Sequence, residues 1–240
     1  MSSGSLPDRR VTMARQARLV VPGLAHYVLL RGHANRLLCV DEVDRIALVL
    51  ALKVAAQTHD VIVHALALQA TEVHLLARPT SGPALGAMVQ GLGRHYVAAF
   101  NRRHGISGTL WDGRYRAAAI EAGEPTMQAL MHIDGLSLSA QSEPAARGHR
   151  SDIGGTFLVD PNEIWALGNT PFEREAAYRA RLQQPLSQRN RDVLMSAVRS
   201  SRAVGSAVFL TDLAVQLGRP VSPAPRGRPR RQTGPESTPK

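Results

Sequence analysis

Residues 94–116 combine side chains that suit a polyanionic ligand. The stretch contains five arginines and a single acid, Asp112. Rings are interleaved with the arginines, although only 4% of the whole chain is aromatic: Tyr96, Phe100, His104, Trp111 and Tyr115. Because guanidinium groups bind phosphates and flat rings stack on unpaired bases, the pattern favours contact with nucleic acid. A solvated helix face followed by a core aromatic residue is the alternative that the pattern leaves open.

Residues 219–240 form a second basic segment. They hold six basic residues against one acid in a proline-rich stretch whose composition cannot form a core. Within it, Arg226-Gly227-Arg228-Pro229 has the core of an AT-hook, in which arginines enter the narrow minor groove of A·T-rich DNA. Non-specific attraction to phosphates is the other interpretation. Both interpretations place this tail on DNA.

The composition of the chain excludes several classes of protein. Of 240 residues, 44% are hydrophobic, which suffices for a core, and the formal net charge is +10. No uncharged apolar run reaches the roughly 18 residues of a membrane span. The lone cysteine, Cys39, excludes an intramolecular disulfide and a zinc site built on several thiolates. The first ten residues lack the apolar segment of a secretory signal, so we expect a protein of the reducing cytoplasm, associated with the nucleoid through DNA.

Alternating short elements must position these side chains. Hydrophobic periodicity and turn residues predict the order strand, helix, strand, strand, helix, strand, helix over residues 25–31, 42–58, 61–68, 73–77, 82–103, 114–120 and 124–136. That order is typical of a ferredoxin-like α+β sandwich, in which helices pack on one face of an antiparallel sheet and leave the other face to a ligand.

The first predicted helix has a clear start and a clear apolar pattern. Asp41 is a good N-cap, and the apolar side chains of Val43, Ile46, Leu50 and Val54 recur at three- and four-residue spacing. The cap and this spacing together predict a helix over residues 42–58.

The composition changes along the chain and suggests its organisation. Residues 1–14 are expected to be a flexible N-terminus, residues 15–143 the α+β domain, and residues 144–158 a linker. A capping box at Thr170-Pro171-Phe172-Glu173 begins a further helix, so residues 159–218 are expected to form a small helical subdomain before the basic tail.

Short motifs in a fixed order give this sequence a family resemblance. They are Arg31-Gly32 with Asn35-Arg36, His64-Ala65, Val73-His74-Leu75-Leu76, Gly93-Arg94-His95-Tyr96-Val97, Phe100-Asn101-Arg102-Arg103-His104-Gly105, Ser107-Gly108-Thr109-Leu110-Trp111, Gly113-Arg114-Tyr115, Ala166-Leu167-Gly168-Asn169-Thr170-Pro171, Val204-Gly205-Ser206 and Arg226-Gly227-Arg228-Pro229-Arg230. The set is similar to the single-tyrosine transposases of the HUH superfamily, above all to the tyrosine transposases associated with repetitive extragenic palindromes (REP). The resemblance covers nearly the whole chain from Arg15 and implies the same ferredoxin-like fold.

The resemblance also implies a metal-dependent reaction on DNA. In that family, two histidines separated by one residue on a strand hold a divalent cation, and a tyrosine on a later helix attacks a DNA phosphate. A polar residue four positions after the tyrosine completes the metal shell. The cation polarises the scissile phosphate, and the covalent intermediate conserves bond energy for rejoining the strand.

This chain departs from the family pattern at every catalytic position. Glu72 and His74 stand where the two histidines are expected, His132 where the tyrosine is expected, and Leu136 where the third ligand is expected. A carboxylate still ligates Mg²⁺ or Mn²⁺, whereas leucine cannot. The resemblance therefore implies at most a weak, exchangeable cation at Glu72 and His74, and no cleavage through His132.

Three other residues bear on the same site. Tyr96 and Tyr115 lie where the family's chemistry uses no nucleophile, and Tyr96 shares the apolar stripe of its helix. His64, on the strand before Glu72, is either a third ligand or a hydrogen-bonded histidine of the sheet. The second interpretation is favoured because the family carries a histidine there without using it for metal.

The sequence thus predicts a transposase-like protein that binds hairpin or single-stranded DNA and has lost cleavage. An active nickase and strand transferase with altered ligands is the alternative, and an unselected remnant without a partner is a third hypothesis, which the retained basic cluster disfavours. The residues expected to contact DNA are Arg31, Arg94, Tyr96, Asn101, Arg102, Arg103, His104, Trp111, Arg114, Arg116, Arg226 and Arg228. No membrane partner is expected, and the oligomeric state, including a homodimer, is left open.

Overall fold

The computed structural model describes residues 18–139 and 157–222, and a five-stranded sheet lies at its centre. Its strands are β1 (Ala25–Arg31), β2 (Val61–Leu68), β3 (Glu72–Pro79), β4 (Arg116–Ile120) and the short β5 (Ala203–Val204). They lie in the order β2-β3-β1-β4-β5. The first four pair antiparallel, and β5 adds a parallel pairing with β4.

The helices begin and end at residues that the sequence marks. They are α1 (Glu42–Thr58), α2 (Ala84–Leu92), α3 (Ala98–His104), α4 (Glu124–Ser139), α5 (Asn162–Trp165), α6 (Pro171–Leu182), α7 (Gln188–Ser200) and α8 (Ala207–Leu217). Asp41 caps α1, and the predicted capping box at Thr170 and Glu173 opens α6. None of the helices in the described part of the chain combines the length and the apolar character that a membrane crossing requires.

The predicted α+β class and the predicted order of elements are confirmed. The single helix expected over residues 82–103 consists of α2, a π-helical turn at Gly93–Val97, and α3. It ends at Gly105, whose φ of 63° is the left-handed conformation that glycine adopts without a steric penalty. The domain boundaries stay a prediction, since residues 1–17, 140–156 and 223–240 lie outside the described residues.

Helices cover both faces of the sheet, whereas the sequence analysis placed them on one. Val28, Leu75 and Ala117 belong to a core cluster shared with α1 and α2. Their neighbours Tyr27, Leu76 and Ala118 belong to a second cluster, shared with α4 and α7. Successive strand side chains point to opposite faces, and these strands are apolar on both, which is the pattern of a sheet buried on both sides. A ligand therefore has to approach the ends or edges of the sheet.

The helix predicted over residues 42–58 is confirmed, but the apolar residues that mark its periodicity do not face the core. Leu48 and Leu52 are fully buried against the sheet, whereas Val43, Ile46, Leu50 and Val54 are between 47% and 59% exposed. Apolar residues occur around most of the helix, so periodicity alone does not identify the stripe that packs. The tertiary fold decided which of the two stripes faces the core.

The C-terminal helices complete the second core. Tyr178 of α6 and Leu194 of α7 are buried in the same cluster as Tyr27. Glu121, just after β4, accepts hydrogen bonds from the backbone N–H and the hydroxyl of Ser206, which caps α8. Gly205 is required at this junction, since a Cβ there would lie 2.6 Å from the Glu121 carboxylate. These contacts bring arginines of the C-terminal region to the same end of the sheet as residues 111–116.

Candidate nucleic-acid interface

The two residues expected to hold a cation, Glu72 and His74, belong to a continuous series of polar side-chain contacts. Arg31 and Glu72 face each other across the β1–β3 pairing, and Arg31 Nε lies 2.8 Å from Glu72 Oε1. The other carboxylate oxygen lies 3.2 Å from His74 Nε2, and His74 Nδ1 lies 2.9 Å from the Tyr27 hydroxyl. We call Tyr27, Arg31, Glu72 and His74 the polar chain. The Glu72 oxygens and the His74 ring nitrogens, which a cation would need as ligands, therefore already have partners.

Burial fixes the protonation of the polar chain. His74 is 3% exposed, and desolvation lowers its pKa although Glu72 opposes the shift. A neutral imidazole has one N–H, which must lie on Nε2 because a carboxylate can only accept. Nδ1 therefore accepts a hydrogen bond from Tyr27, whose own pKa burial raises. The sequence analysis missed Tyr27, and its place in an apolar strand gives no local signal of this contact.

His132, which the sequence resemblance places at the nucleophile position, lies beside the polar chain but is not one of its members. Its ring centroid is 6.0 Å from that of Tyr27. Desolvation, aided by the proximity of His74 and Arg191, lowers its pKa to about 4, so the ring is neutral at physiological pH. Leu136 lies one turn further along α4, and its backbone carbonyl accepts a hydrogen bond from Gln69 Nε2 (2.8 Å).

The residues present do not fit a divalent cation. Mg²⁺ and Mn²⁺ prefer several oxygen ligands in near-octahedral geometry. Here the single carboxylate, Glu72, is ion-paired with a guanidinium, and the side chain at position 136 has no donor atom. Among the described residues, no group of three or more His, Cys, Asp or Glu side chains is arranged to hold a metal ion. A cation at Glu72 would have to displace Arg31 and stay beside its charge.

A basic cavity opens at the end of β1. It has a volume of about 640 Å³ and lies between the end of β1, the C-terminal half of α2 and the loop before β4. Six arginines line it: Arg18, Arg31, Arg94, Arg114, Arg116 and Arg199. Asp112 is the only acid in its wall.

A second cavity of about 560 Å³ adjoins the first and shares its wall from Asp112 to Arg116. It adds Arg202 and Arg219 to the arginines already present. We call the two cavities together the arginine groove; eight arginines and one acid line it. Arg94, Arg114, Arg116 and Arg199 are exposed and form no ion pair with the described part of the chain. The groove thus presents uncompensated positive charge to solvent.

Two aromatic residues belong to the groove wall. Trp111 is partly buried against the first core cluster, and its indole N–H has no hydrogen-bond partner within the described residues. The ring lies beside the helix at Gly93, where a Cβ would be 3.5 Å from that nitrogen, an ordinary van der Waals distance. Tyr115 is 8% exposed, and the Arg18 guanidinium lies 4.0 Å from its ring centroid. Arginine and aromatic surface therefore adjoin in the groove at Trp111 and Tyr115, whereas Tyr96 and Phe100 are buried in the core.

Four residues expected at the interface have structural roles instead. Tyr96 is 2% exposed and donates a hydrogen bond to the Leu38 carbonyl, so it does not belong to a DNA-contacting surface. Asn101 donates to the Gly108 carbonyl and holds the loop after α3. The two remaining residues, Arg103 and His104, form ion pairs with Asp41 and Asp44 at the start of α1. The Arg103 guanidinium lowers the pKa of Asp41 to about 2.

The other predicted contact residues divide into three groups. Arg31, Arg94, Trp111, Arg114 and Arg116 line the groove. Arg102 is exposed but does not line it, and Arg226 and Arg228 lie outside the described residues.

Four groove arginines were missed by the sequence analysis as members of this cluster: Arg18, Arg199, Arg202 and Arg219. They are far apart in sequence. The docking of α7 and β5 beside β4 brings the three C-terminal arginines to the groove, and Arg18 is held there by a hydrogen bond from its Nε to the Tyr115 carbonyl.

His64 has a structural role, as its favoured interpretation predicts. Its Nδ1 donates to the Val159 carbonyl at 2.7 Å, and the side chain is 1% exposed. This contact joins β2 to the segment before α5, and none of the contacts described for His64 involves Glu72 or His74.

Comparison with known proteins found distant structural neighbours. No family model and no curated protein matches this chain. One similar solved structure is described as a REP-associated tyrosine transposase bound to a REP hairpin; it has 12% identity and a TM-score of 0.47 over 58% of this chain and 86% of that one. Another is described as a candidate transposase of Deinococcus radiodurans R1, with 22% identity and a TM-score of 0.36 over 51% of this chain and 98% of that one. The first belongs, by its description, to the family that the sequence motifs resemble.

Proposed function

We propose that this chain is a transposase-like DNA-binding protein that recognises hairpin or single-stranded DNA and does not cleave it. The observation that carries the proposal is the arginine groove, in which eight arginines and one acid line two adjoining cavities. Arginine forks match phosphate oxygens in geometry and charge. A sugar–phosphate backbone, with one negative charge per nucleotide, is the ligand that compensates such a row of cations.

The shape of the groove supports an unpaired strand over a plain duplex. The basic side chains line a concave surface whose wall includes Trp111, and a ring there is accessible to a base that is not stacked in a helix. Hairpin loops and single strands expose such bases, whereas a duplex keeps them stacked. The tail residues Arg226 and Arg228 are proposed to add affinity through phosphates or an A·T-rich minor groove.

The proposed loss of cleavage is supported by the burial of all four tyrosines. The chain has four tyrosines, and Tyr27, Tyr96, Tyr115 and Tyr178 are 0%, 2%, 8% and 0% exposed. A phenol that attacks phosphorus has to reach the phosphate and lose its proton, and burial disfavours both. Glu72, at one expected metal position, is ion-paired with Arg31, so a cation that activates a nucleophile would have to compete with that guanidinium.

The test uses a labelled DNA hairpin, the same strand unfolded, and the strand annealed to its full complement. We expect affinity for the hairpin and the single strand to exceed affinity for the duplex, with a steep salt dependence. In Mn²⁺, denaturing electrophoresis should show no covalent adduct and no shortened strand. An adduct that disappears in His132→Ala would instead establish the nickase alternative, and equal binding to all three DNAs would refute recognition of unpaired strands.

A further inference from the structure

We propose that the guanidinium of Arg31 acts as a built-in cation, so that this chain holds a DNA phosphate without a divalent metal ion. The inference rests on the proposed function, because it names how the groove engages the phosphate nearest the polar chain. It follows from the anchoring of Arg31, from the atoms that stay available on it, and from its place in the groove.

The guanidinium of Arg31 is anchored through its Nε atom. Its Nε is held 2.8 Å from Glu72 Oε1, and the Glu72 carboxylate is itself oriented by His74. His74 is fixed in turn by Tyr27, which is fully buried. Each member of the polar chain thus orients the next, and the guanidinium needs little further ordering when a ligand binds.

The free end of Arg31 faces the ligand site. Its side chain is 52% exposed and lines the cavity that also contains Arg94, Arg116 and Arg199. A guanidinium has five N–H donors, and the contact with Glu72 uses only one edge of the group. The terminal nitrogens have no partner in the described part of the chain and are available to a phosphate oxygen.

Glu72 and His74 are therefore positioning residues for Arg31. A carboxylate that binds a metal ion presents its oxygens to the metal, whereas Glu72 presents one to Arg31 and the other to His74. The positive charge that would otherwise be supplied by a cation is supplied by a side chain that cannot dissociate or lose its proton. Phosphate binding at this point should be independent of chelators.

The experiment measures fluorescence anisotropy of a labelled 20-nucleotide hairpin at constant ionic strength, in EDTA and in MnCl₂. The wild-type affinity should agree within about twofold between the two buffers, because no phosphate is bound through a metal. Arg31→Ala should weaken binding about tenfold in both buffers, and Arg31→Lys should restore only part of the loss. Arg189→Ala, which removes an exposed arginine of α7 outside the groove, is the matched control.

Glu72→Gln tests the positioning role. It keeps the size of the side chain and removes the charge that holds Arg31, so the affinity should fall less than in Arg31→Ala, by about threefold. An affinity that rises tenfold or more in Mn²⁺ and reverts in EDTA would overturn the inference alone, as would equal effects of Arg31→Ala and Arg189→Ala. A wild-type protein that binds no DNA would overturn the proposed function as well.

A separate observation concerns the exposed stripe of α1, and we infer that two copies of the chain pack there. The stripe consists of Val43, Ile46, Leu50 and Val54, and Leu37 and Val40 extend it before the helix begins; all are at least 47% exposed. These six are half of the twelve exposed large hydrophobic residues found in the described part of the chain. An apolar patch of this kind on an otherwise polar surface marks an interaction site.

The segments outside the described residues do not supply a matching apolar surface. Residues 140–156 and 223–240 contain one large apolar residue between them, Ile153. Residues 1–17 contain four, and these do not recur at helical spacing. A second α1 does match, since an apolar stripe with three- and four-residue spacing packs against a copy of itself in an antiparallel pair.

The charges beside the stripe select that antiparallel arrangement. Glu42 and Lys53 are eleven residues apart, about three helical turns, and so lie on the same side of the stripe at its opposite ends. In an antiparallel pair centred between Ile46 and Leu50, Glu42 of one copy lies beside Lys53 of the other, and symmetry repeats the contact. Glu42 pairs with Arg45 within its own copy, but its side chain is 59% exposed and its carboxylate can accept a second cation. Lys53 has no ion-pair partner elsewhere in residues 18–139 and 157–222.

Sedimentation between 1 and 100 µM tests this interface. The wild type should approach twice the chain mass of 25.9 kDa, and Leu50→Glu should remove the dimer over the whole range. Val208→Glu changes a 71% exposed valine on α8 and should leave the dimer intact. Lys53→Glu should weaken association, and adding Glu42→Lys should restore it. A wild type that stays monomeric at 100 µM, or a Val208→Glu effect equal to that of Leu50→Glu, would overturn the inference.

Discussion

The arginine groove and the polar chain share Arg31, but they differ in whether their polar groups are paired. In the groove, Arg94, Arg114, Arg116 and Arg199 are exposed and without ion-pair partners in the described residues. In the polar chain, Tyr27 and His74 are buried, and the polar side-chain atoms of Tyr27, Glu72 and His74 each contact another side chain. A group that is already satisfied has little free energy to gain from a ligand, whereas an exposed, unpaired charge has much. The groove therefore leaves positive charge open to a ligand, whereas Glu72 and His74 are taken up by contacts within the fold.

The largest effect is expected from removing three groove arginines together. Arg94→Ala, Arg114→Ala and Arg116→Ala combined should weaken hairpin binding by about two to three orders of magnitude and make the salt slope shallower by about two. Filter binding at several salt concentrations measures both. Because the three side chains are exposed, the melting temperature should not change by more than a few degrees.

The control for that variant carries the same change in net charge. Arg179→Ala, Arg181→Ala and Arg189→Ala combined remove three exposed arginines of α6 and α7 that do not line the groove. If this triple variant lost as much affinity, overall charge and not the groove would explain binding.

Trp111→Ala is expected to have the next largest effect on binding. Loss of a stacking ring is typically worth about 1–3 kcal/mol per base, so hairpin affinity should fall about tenfold and duplex affinity much less. Trp111 also packs on the core, so some loss of stability is expected as well. Thermal melting beside the two binding curves separates these roles: a parallel loss for hairpin and duplex would make the residue purely structural.

Tyr27→Phe tests the structural role of the polar chain. It removes the hydroxyl that donates to His74 and leaves a buried ring nitrogen without a partner. Such a loss costs about 1–3 kcal/mol of stability, which urea unfolding measures. Hairpin affinity of the folded variant should stay within about threefold of the wild type. A normal stability combined with a large loss of binding would show that the polar chain is a ligand site and not a structural element.

The smallest expected effect is the dependence of folding stability on pH. Burial lowers the pKa of both His26 and His132 to about 4, so the unfolded chain binds protons more readily than the folded chain below pH 6.5. Stability should therefore be constant above about pH 7 and fall as the pH drops from about 6.5 towards 4. For the fully buried His26 the slope reaches at most about 1.4 kcal/mol for each pH unit.

Melting temperatures at several pH values test this dependence. His132→Asn should flatten the curve, because it removes one of the two histidines. Hairpin affinity of the folded protein should not follow the same curve, since the groove arginines do not titrate in this range. A stability that increases on acidification would contradict the assigned neutral state of these histidines.

The predictability of the fold differs from one element to the next. The order of strands and helices could be predicted because each element carries its own periodicity and caps, as at Asp41 and at Thr170 with Glu173. The packing of α1 could not, because Val43 and Leu48 belong to two apolar stripes of one helix and sequence spacing does not rank them. The coverage of both sheet faces could not either, since it depends on where α4 and α7 dock.

The sequence by itself determined which side chains the protein carries and at what spacing. It placed arginines close to Trp111, and it put Glu72, His132 and Leu136 where the family resemblance expects a metal ligand, a nucleophile and a third ligand, because residue identity and local spacing are properties of the chain alone. Only the tertiary structure decided how those residues are used. It joined Arg199 and Arg202 to the groove, moved Tyr96 into the core, and closed Glu72 onto Arg31 and His74. The physical reason is that burial and pairing depend on which distant segments come within a few ångströms of each other, and long-range packing sets those distances, not local propensity.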